Sequence, residues 1–349
     1  MSRVRLFGFE LDAVRMPEAV ARIYGWIAEP VARCRFIVTP NVDHAVLHHR
    51  TPALRAAYQH AAMVLADGAP VVAASRLLGR ALPERVAGSD LAPALFEAAA
   101  THGGLRVYLL GAAPGVAQRA ANKIAERWPA VTVVGTYSPP LGFEYDPAEN
   151  DRILKRIAEA RADLVLVGFG APKQELWVDA QREKIAARVV LCAGATIDFL
   201  AGEKRRAPRW MRMVGLEWLH RVASEPRRLL GRYLRDAVVF PRLVAREWLA
   251  LADRQDADAT HRAAGAKFRE ALTVERWREA LKRVRGPLGE MVQRTVLSTK
   301  LTRTLPGQPD GDSALVAFRT SWTGKTVGRE LVSLEDEGAR WRVIGYVIQ

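Results

Sequence analysis

Residues Leu164–Glu175 read LVLVGFGAPKQE: four β-favouring apolar residues run without a break into a glycine-rich turn that delivers Lys173, Gln174 and Glu175 side by side. An unbroken apolar run of this length suits a strand buried on both faces of a parallel sheet. Gly168 and Gly170 free the backbone after it, and Pro172 fixes φ before the polar triplet. Open α/β sheets bind ligands beyond the carboxyl ends of their strands, so this turn is a candidate site. A tight strand-to-helix connection, with Gln174 or Glu175 serving only the first helical turn, is the alternative reading.

The same pattern recurs along the first 200 residues. FIVT (Phe36–Thr39), MVLA (Met63–Ala66), RVYLLG (Arg106–Gly111), VTVVG (Val131–Gly135) and VVLCAG read as further strands, separated by alanine-rich helical segments. Such alternation predicts an α/β fold, a Rossmann-like, mainly parallel sheet with flanking helices. Most of these strands end in polar or glycine-rich turns, VTPNVDH, ADGAP, GAAPG and AGATIDF, which would share one rim.

Several rim residues carry usable chemistry. Asp67, directly after a strand, is placed to act as a general base, or to cap a turn. Arg85 in LPERVAGSD offers a fork for phosphate, while Asp90 reads as the cap of the helix that follows. Thr39 and Asn41 offer small hydrogen-bonding groups or a helix cap. Gly111 and Gly115 lie between a strand and a helix, where backbone N–H groups favour phosphate, although no complete Walker or G-x-G-x-x-G motif is present. His44 and His48 are four residues apart without the Glu of H-E-x-x-H and read as solvated or capping histidines, and Asp256-Ala-Asp258 falls in a polar stretch. No metal site is expected. Cys34 and Cys192 are too few for a disulfide framework and read as small buried hydrophobes.

Charge is unevenly spread. Residues 1–202 carry 23 Lys+Arg against 20 Asp+Glu, whereas residues 203–248 carry 12 against 5, so +7 of the total +14 lies in that short segment. An anionic partner is implied. After Pro226 helical spacing groups Leu229, Leu230, Tyr233, Leu234, Ala237 and Val238 on one face, and Arg228, Arg232 and Arg235 on the other. With Trp210 and Trp218 nearby, this basic helical appendage suits an anionic membrane surface; an ordinary docked helix is the alternative. A nucleic-acid partner is not expected, since no recognition motif accompanies the charge. No apolar run is long enough to span a bilayer and the N-terminus lacks a signal-peptide h-region, so the expected location is cytoplasmic.

The segments VTPN, ADG, ERVAGSD, GAAPG, GTYSPP, GFGAPKQE, AGATIDFLAG and RAPRWM…GLEWLHR…EPRRL…RYL together resemble the WecG/TagA/CpsF family of bacterial glycosyltransferases, over about Val4 to Trp248. The resemblance implies an inverting, metal-independent enzyme without a cofactor. It would move an N-acetylmannosamine-type or related sugar from a UDP donor to a polyprenyl-diphosphate-linked saccharide, peripherally on the inner membrane face. It implies Asp67 as general base and Arg85 as the cation for the leaving diphosphate. Thr39 and Gln174 would line the sugar pocket, Asp198 would lie near the nucleotide, and Arg221 and Arg228 would add positive charge. Asn41 and Gly111 are assigned to ligand binding from position alone. A catalytically silent nucleotide-sugar-binding protein is the competing class, and self-association is compatible with either.

Past the family's usual end, the sequence predicts a linker at 253–260 and a small α+β domain at 261–349, similar in outline to cystatin-like folds, after a core at 1–202 and an appendage at 203–252. Trp277, Trp322, Trp341 and Tyr346 are expected in its core.

Overall fold

The computed structural model describes residues 2–30, 34–204, 206–208, 211, 217–303, 311–337 and 341–349. The chain divides into two compact units. One comprises Met1–Val4, Gly8–Gly68 and Pro83–Met213; the other comprises Arg5–Phe7, Ala69–Leu82 and Val214–Gln349.

After β1 (Arg3–Leu6) and β2 (Phe9–Asp12), the first unit contains β3 (Arg35–Val38), β4 (Met63–Val64), β5 (Leu105–Gly111), β6 (Val131–Tyr137), β7 (Leu164–Gly168) and β8 (Val189–Cys192). These last six form one sheet in the order β4-β3-β8-β7-β5-β6, and every paired neighbour is parallel. The apolar residues of β7, Leu164 to Val167, are all buried, as a strand covered on both faces requires. Ile23, Leu91, Phe96, Ala117 and Ile124 from the helices pack with Ile37, Leu109 and Leu166 of the strands in one continuous core. The expected Met63–Ala66 strand is only two residues long, although Leu65 N–H and Asp67 N–H still donate to Val38 O and Pro40 O at 2.9 and 2.8 Å. At this sheet edge the buried Asp12 carboxylate takes the Val64 N–H at 2.9 Å.

The connection after β5 leads outward to β6, whereas the one after β7 leads the opposite way to β8. The strand order therefore reverses between β5 and β7, and open sheets bind ligands outside the carboxyl ends at such a point. Gly111 closes β5 there with φ +110°, and a Cβ on it would lie 2.8 Å from the carbonyl of Gly168 on β7. Only glycine permits this approach.

The second unit contains an antiparallel sheet in the order β12-β11-β10-β9, formed by β9 (Met291–Thr302), β10 (Ser313–Trp322), β11 (Lys325–Asp336) and β12 (Trp341–Ile348). Helices Pro226–Asp253, Ala257–Ala263, Ala266–Ala271 and Val274–Arg285 accompany it. Here 253–260 is not a linker. Asp253 ends the long helix and pairs with Arg285 and with Arg294 Nη1 at 2.7 Å; Asp256 caps the next helix through Ala259 N–H at 2.8 Å. Thr260 is fully buried, its carbonyl accepting from Trp248 Nε1 at 2.9 Å and its Oγ1 from Trp277 Nε1 at 2.8 Å. The polar side chains of this stretch are consumed by capping and ion pairing, so the long helix continues directly into the small α+β fold. Trp277 and Trp322 are buried as expected.

The apolar face of the long helix also differs from the spacing argument. Leu229, Val239, Phe240 and Leu243 are buried, whereas Leu230 and Leu234 are 48% and 60% exposed. Asp236 takes an inward position instead.

Candidate active site

The carboxyl rim of the parallel sheet gathers two polar chains. The first starts at the exit of β4. Asp67 Oδ1 accepts from Arg85 Nη1 at 3.1 Å, Arg85 Nη2 donates to Asp90 Oδ2 at 2.5 Å, and the other oxygen of Asp90 meets Arg206 Nη2 at 2.9 Å. About a quarter of each of these side chains remains accessible, so the chain is partly desolvated yet reachable. Asp90 is not the expected cap: the helix Gly88–Ala98 begins two residues earlier, after Ala87, and the carboxylate is drawn into the guanidinium chain instead. Arg206 anchors this end by donating to Ser89 Oγ at 3.0 Å.

The second chain joins the exits of β3, β8 and β7. Asn41 caps the helix Val42–Arg50, its Oδ1 accepting from His44 N–H at 3.2 Å. The same Oδ1 lies 2.9 Å from His44 Nδ1, and His44 Nε2 lies 3.4 Å from Glu175 Oε1. Gln174 Nε2 donates to that Glu175 oxygen at 2.7 Å, and Gln174 Oε1 accepts Gly194 N–H, just past β8, at 3.1 Å. Gln174 and Glu175 thus open the helix Lys173–Gln181 and are also buried at the rim. Thr39 is buried and faces Gly88.

Histidines 44 and 48 are both buried, so neither is solvated, and His44 takes the capping alternative, its ring facing the backbone N–H of Asn41 at the helix start. Burial works against protonation of His44, but the Glu175 hydrogen bond and the charges of Glu175, Asp43 and Asp67 outweigh it and raise its pKa above 6.5. His48 behaves oppositely: burial first, then His49 and Arg55, lower it to about 4. Burial, with the charges of Glu175, Cys192 and Asp43, pushes the Tyr58 phenol well above 10. Glu175 Oε2 and Tyr58 Oη have no hydrogen-bond partner among the described residues.

Other sequence candidates fall differently. Asp198 lies in the first turn of the helix Thr196–Ala201 and pairs with Lys204 at 3.5 Å. Lys173 leaves the polar triplet to meet Glu144 at 2.5 Å, over the ring of Phe143. Gly111 is the last residue of β5, at the point where the strand order reverses and shortly before the helix Val116–Arg127. Arg221 and Arg228 belong to the helices Glu217–Ser224 and Pro226–Asp253, but their side chains lie outside the described residues, as does Trp210. The sequence pattern leaves His44 as a solvated or capping histidine and does not single out Asp43 or Arg206. The signal available for His44 was its position one turn beyond a strand-end Asn.

A partly accessible carboxylate held by an arginine fork, at the mouth of a parallel sheet, can accept a proton from a hydroxyl while the fork binds an anion. Residues 4–254 match the Glycosyl transferase WecG/TagA/CpsF family, and residues 244–346 match a family described as a protein of unknown function, DUF4019. Proteins from Staphylococcus aureus strains MRSA252 and MW2 are each 29% identical over 231 residues, 65% of this chain and 87% of each relative. Both bear the name N-acetylglucosaminyldiphosphoundecaprenol N-acetyl-beta-D-mannosaminyltransferase.

Proposed function

Because this chain belongs to the WecG/TagA/CpsF family of glycosyltransferases, we propose that it moves an N-acetylmannosamine-type sugar from a UDP donor to a polyprenyl-diphosphate-linked saccharide. The observation that carries this reading is the bridge from Arg85 to Asp67 and Asp90. Asp67 removes the proton from an acceptor hydroxyl as its oxygen attacks the anomeric carbon. The bond from that carbon to the UDP oxygen breaks, with inversion, and the diphosphate leaves with the electron pair. Arg85 meets that growing negative charge with its planar fork, filling the role a divalent cation would otherwise fill. As the diphosphate competes for the guanidinium, its hold on Asp67 weakens and the carboxylate becomes a stronger base. Gln174, Thr39 and Asn41 hold the sugar, while Gly111 and Asp198 lie toward the nucleotide.

The acceptor is lipid-linked, so the enzyme must work at a membrane surface. No helix among the described residues is long and apolar enough to cross a bilayer. Exposed Leu230 and Leu234 instead stand on the arginine-rich helix Pro226–Asp253, with exposed Leu219 on the helix before it, a combination that supports peripheral docking to anionic lipid.

A donor screen with UDP-sugars and a short-chain polyprenyl-diphosphate-GlcNAc acceptor, read by product mass, tests the proposal. Transfer from UDP-ManNAc, insensitive to a chelator, is expected. UDP binding without turnover on any donor would favour a silent binding protein.

A further inference from the structure

The second polar chain has a proton count that its geometry dictates. Asn41 Oδ1 must be the oxygen of that amide, because it accepts the His44 backbone N–H at 3.2 Å. It also lies 2.9 Å from His44 Nδ1, which therefore needs a hydrogen to donate. The other ring nitrogen faces a carboxylate oxygen, Glu175 Oε1, at 3.4 Å. With Glu175 ionised, the acceptors facing the two ring nitrogens are satisfied together by the imidazolium. The approach of Asn41 N–H to Nδ1, at 3.5 Å, is the longest of these contacts and the weakest competitor.

The surroundings favour the same charge state. Asp43 comes from the histidine's own helix, Asp67 from the exit of β4 and Glu175 from the helix Lys173–Gln181. Tyr58 of the helix Pro52–His60 and Cys192 of β8 stay un-ionised beside Glu175, and His48 stays neutral one turn along. Glu175 is fully buried and its second oxygen is unpartnered among the described residues. A buried carboxylate so poorly satisfied needs a cation.

Resting on the function proposed above, we infer that His44 is a positioning residue for the donor sugar, an imidazolium clamp that ties Asn41 to Glu175 and, through Glu175, fixes the Gln174 amide. Gln174 Oε1 is taken by Gly194 N–H and one Nε2 hydrogen by Glu175. One Nε2 hydrogen is left for a sugar oxygen, and the amide cannot flip without losing both bonds. Deprotonating His44 removes one clamp contact and leaves Glu175 held by Gln174 alone. Donor affinity therefore falls as pH rises past the histidine's raised pKa.

The test uses full-length protein, calorimetric titration with UDP-ManNAc and with UDP, and nitrogen NMR of the wild-type histidine rings. His44→Gln and Glu175→Gln are expected to weaken UDP-ManNAc binding roughly tenfold to a hundredfold, the size of a lost charge-assisted hydrogen bond, with UDP binding unchanged. Wild-type affinity for UDP-ManNAc should decline as pH rises above the ordinary histidine value of 6.5, and the His44→Gln profile should be flat. NMR should show both His44 nitrogens protonated near neutral pH. A singly protonated ring, or His44→Gln binding UDP-ManNAc as tightly as wild type, overturns the clamp. If wild type binds no nucleotide sugar, the proposed function fails, and the ring protonation still decides whether the clamp exists.

Discussion

Replacing Arg85 by lysine separates charge from geometry at the rim. The guanidinium reaches Asp67 at 3.1 Å through Nη1 and Asp90 at 2.5 Å through Nη2, using two nitrogens of one planar fork. Lysine keeps the positive charge but presents a single ammonium, which can satisfy one carboxylate at a time. The side chains involved are about one-quarter exposed, so solvent screening limits the stability loss to about 0.5–1 kcal/mol, or about 1–3 °C in melting temperature. Catalysis should suffer far more. Removing one preorganised donor from developing transition-state charge costs about 10²–10³ in kcat, and the retained charge of lysine moderates this to about 10–10²-fold. Continuous UDP-release kinetics with saturating acceptor would measure kcat, and a thermal melt would check the fold. Arg85→Lys turning over within about threefold of wild type, with an unchanged melt, would refute the role given to the fork.

Three further outcomes follow from particular contacts. Gly111→Ala places a Cβ 2.8 Å from the Gly168 carbonyl at φ +110°, so urea unfolding should show a loss of about 2 kcal/mol together with weaker UDP binding; an unchanged midpoint contradicts the close approach. Glu330 is fully buried and accepts from Arg285, Arg294, Thr320 and Tyr346, so Glu330→Ala should destabilise the chain by about 3–5 kcal/mol in the same assay. His48 has its pKa lowered from 6.5 to about 4, so between those values the unfolded chain binds a proton that the folded chain refuses. Stability should fall by up to about 3 kcal/mol as pH drops through that window, and His48→Gln should remove that part of the acid dependence.

The sheet was legible because its signals are local. The run Leu164–Val167 is apolar throughout, and both faces of β7 are covered. Turns after β3, β4 and β7 carry Asn41, Asp67 and Gln174 in plain sequence, and Arg85 lies in the segment before the helix Gly88–Ala98, so all four stood out as candidates from local pattern. What escaped depends on distances between remote segments. Asp90 looks like a cap until Arg85 and Arg206 are seen on either side of it. His44 resembles a surface histidine until Glu175, 131 residues away, is found against its ring. DRQDADAT has the composition of a linker, yet its acids cap a helix and pair with arginines while Thr260 is sealed under two tryptophans. Composition reports how polar a segment is, whereas burial depends on whether each polar group finds a partner.

The most direct test of the central claim is transfer itself. The full chain, incubated with UDP-ManNAc and a short-chain polyprenyl-diphosphate-GlcNAc, should yield a product heavier by one N-acetylhexosamine residue. Asp67→Asn should bind UDP as tightly as wild type and yield none. Product formation by Asp67→Asn at the wild-type rate would contradict the assignment of Asp67 as the base at this rim.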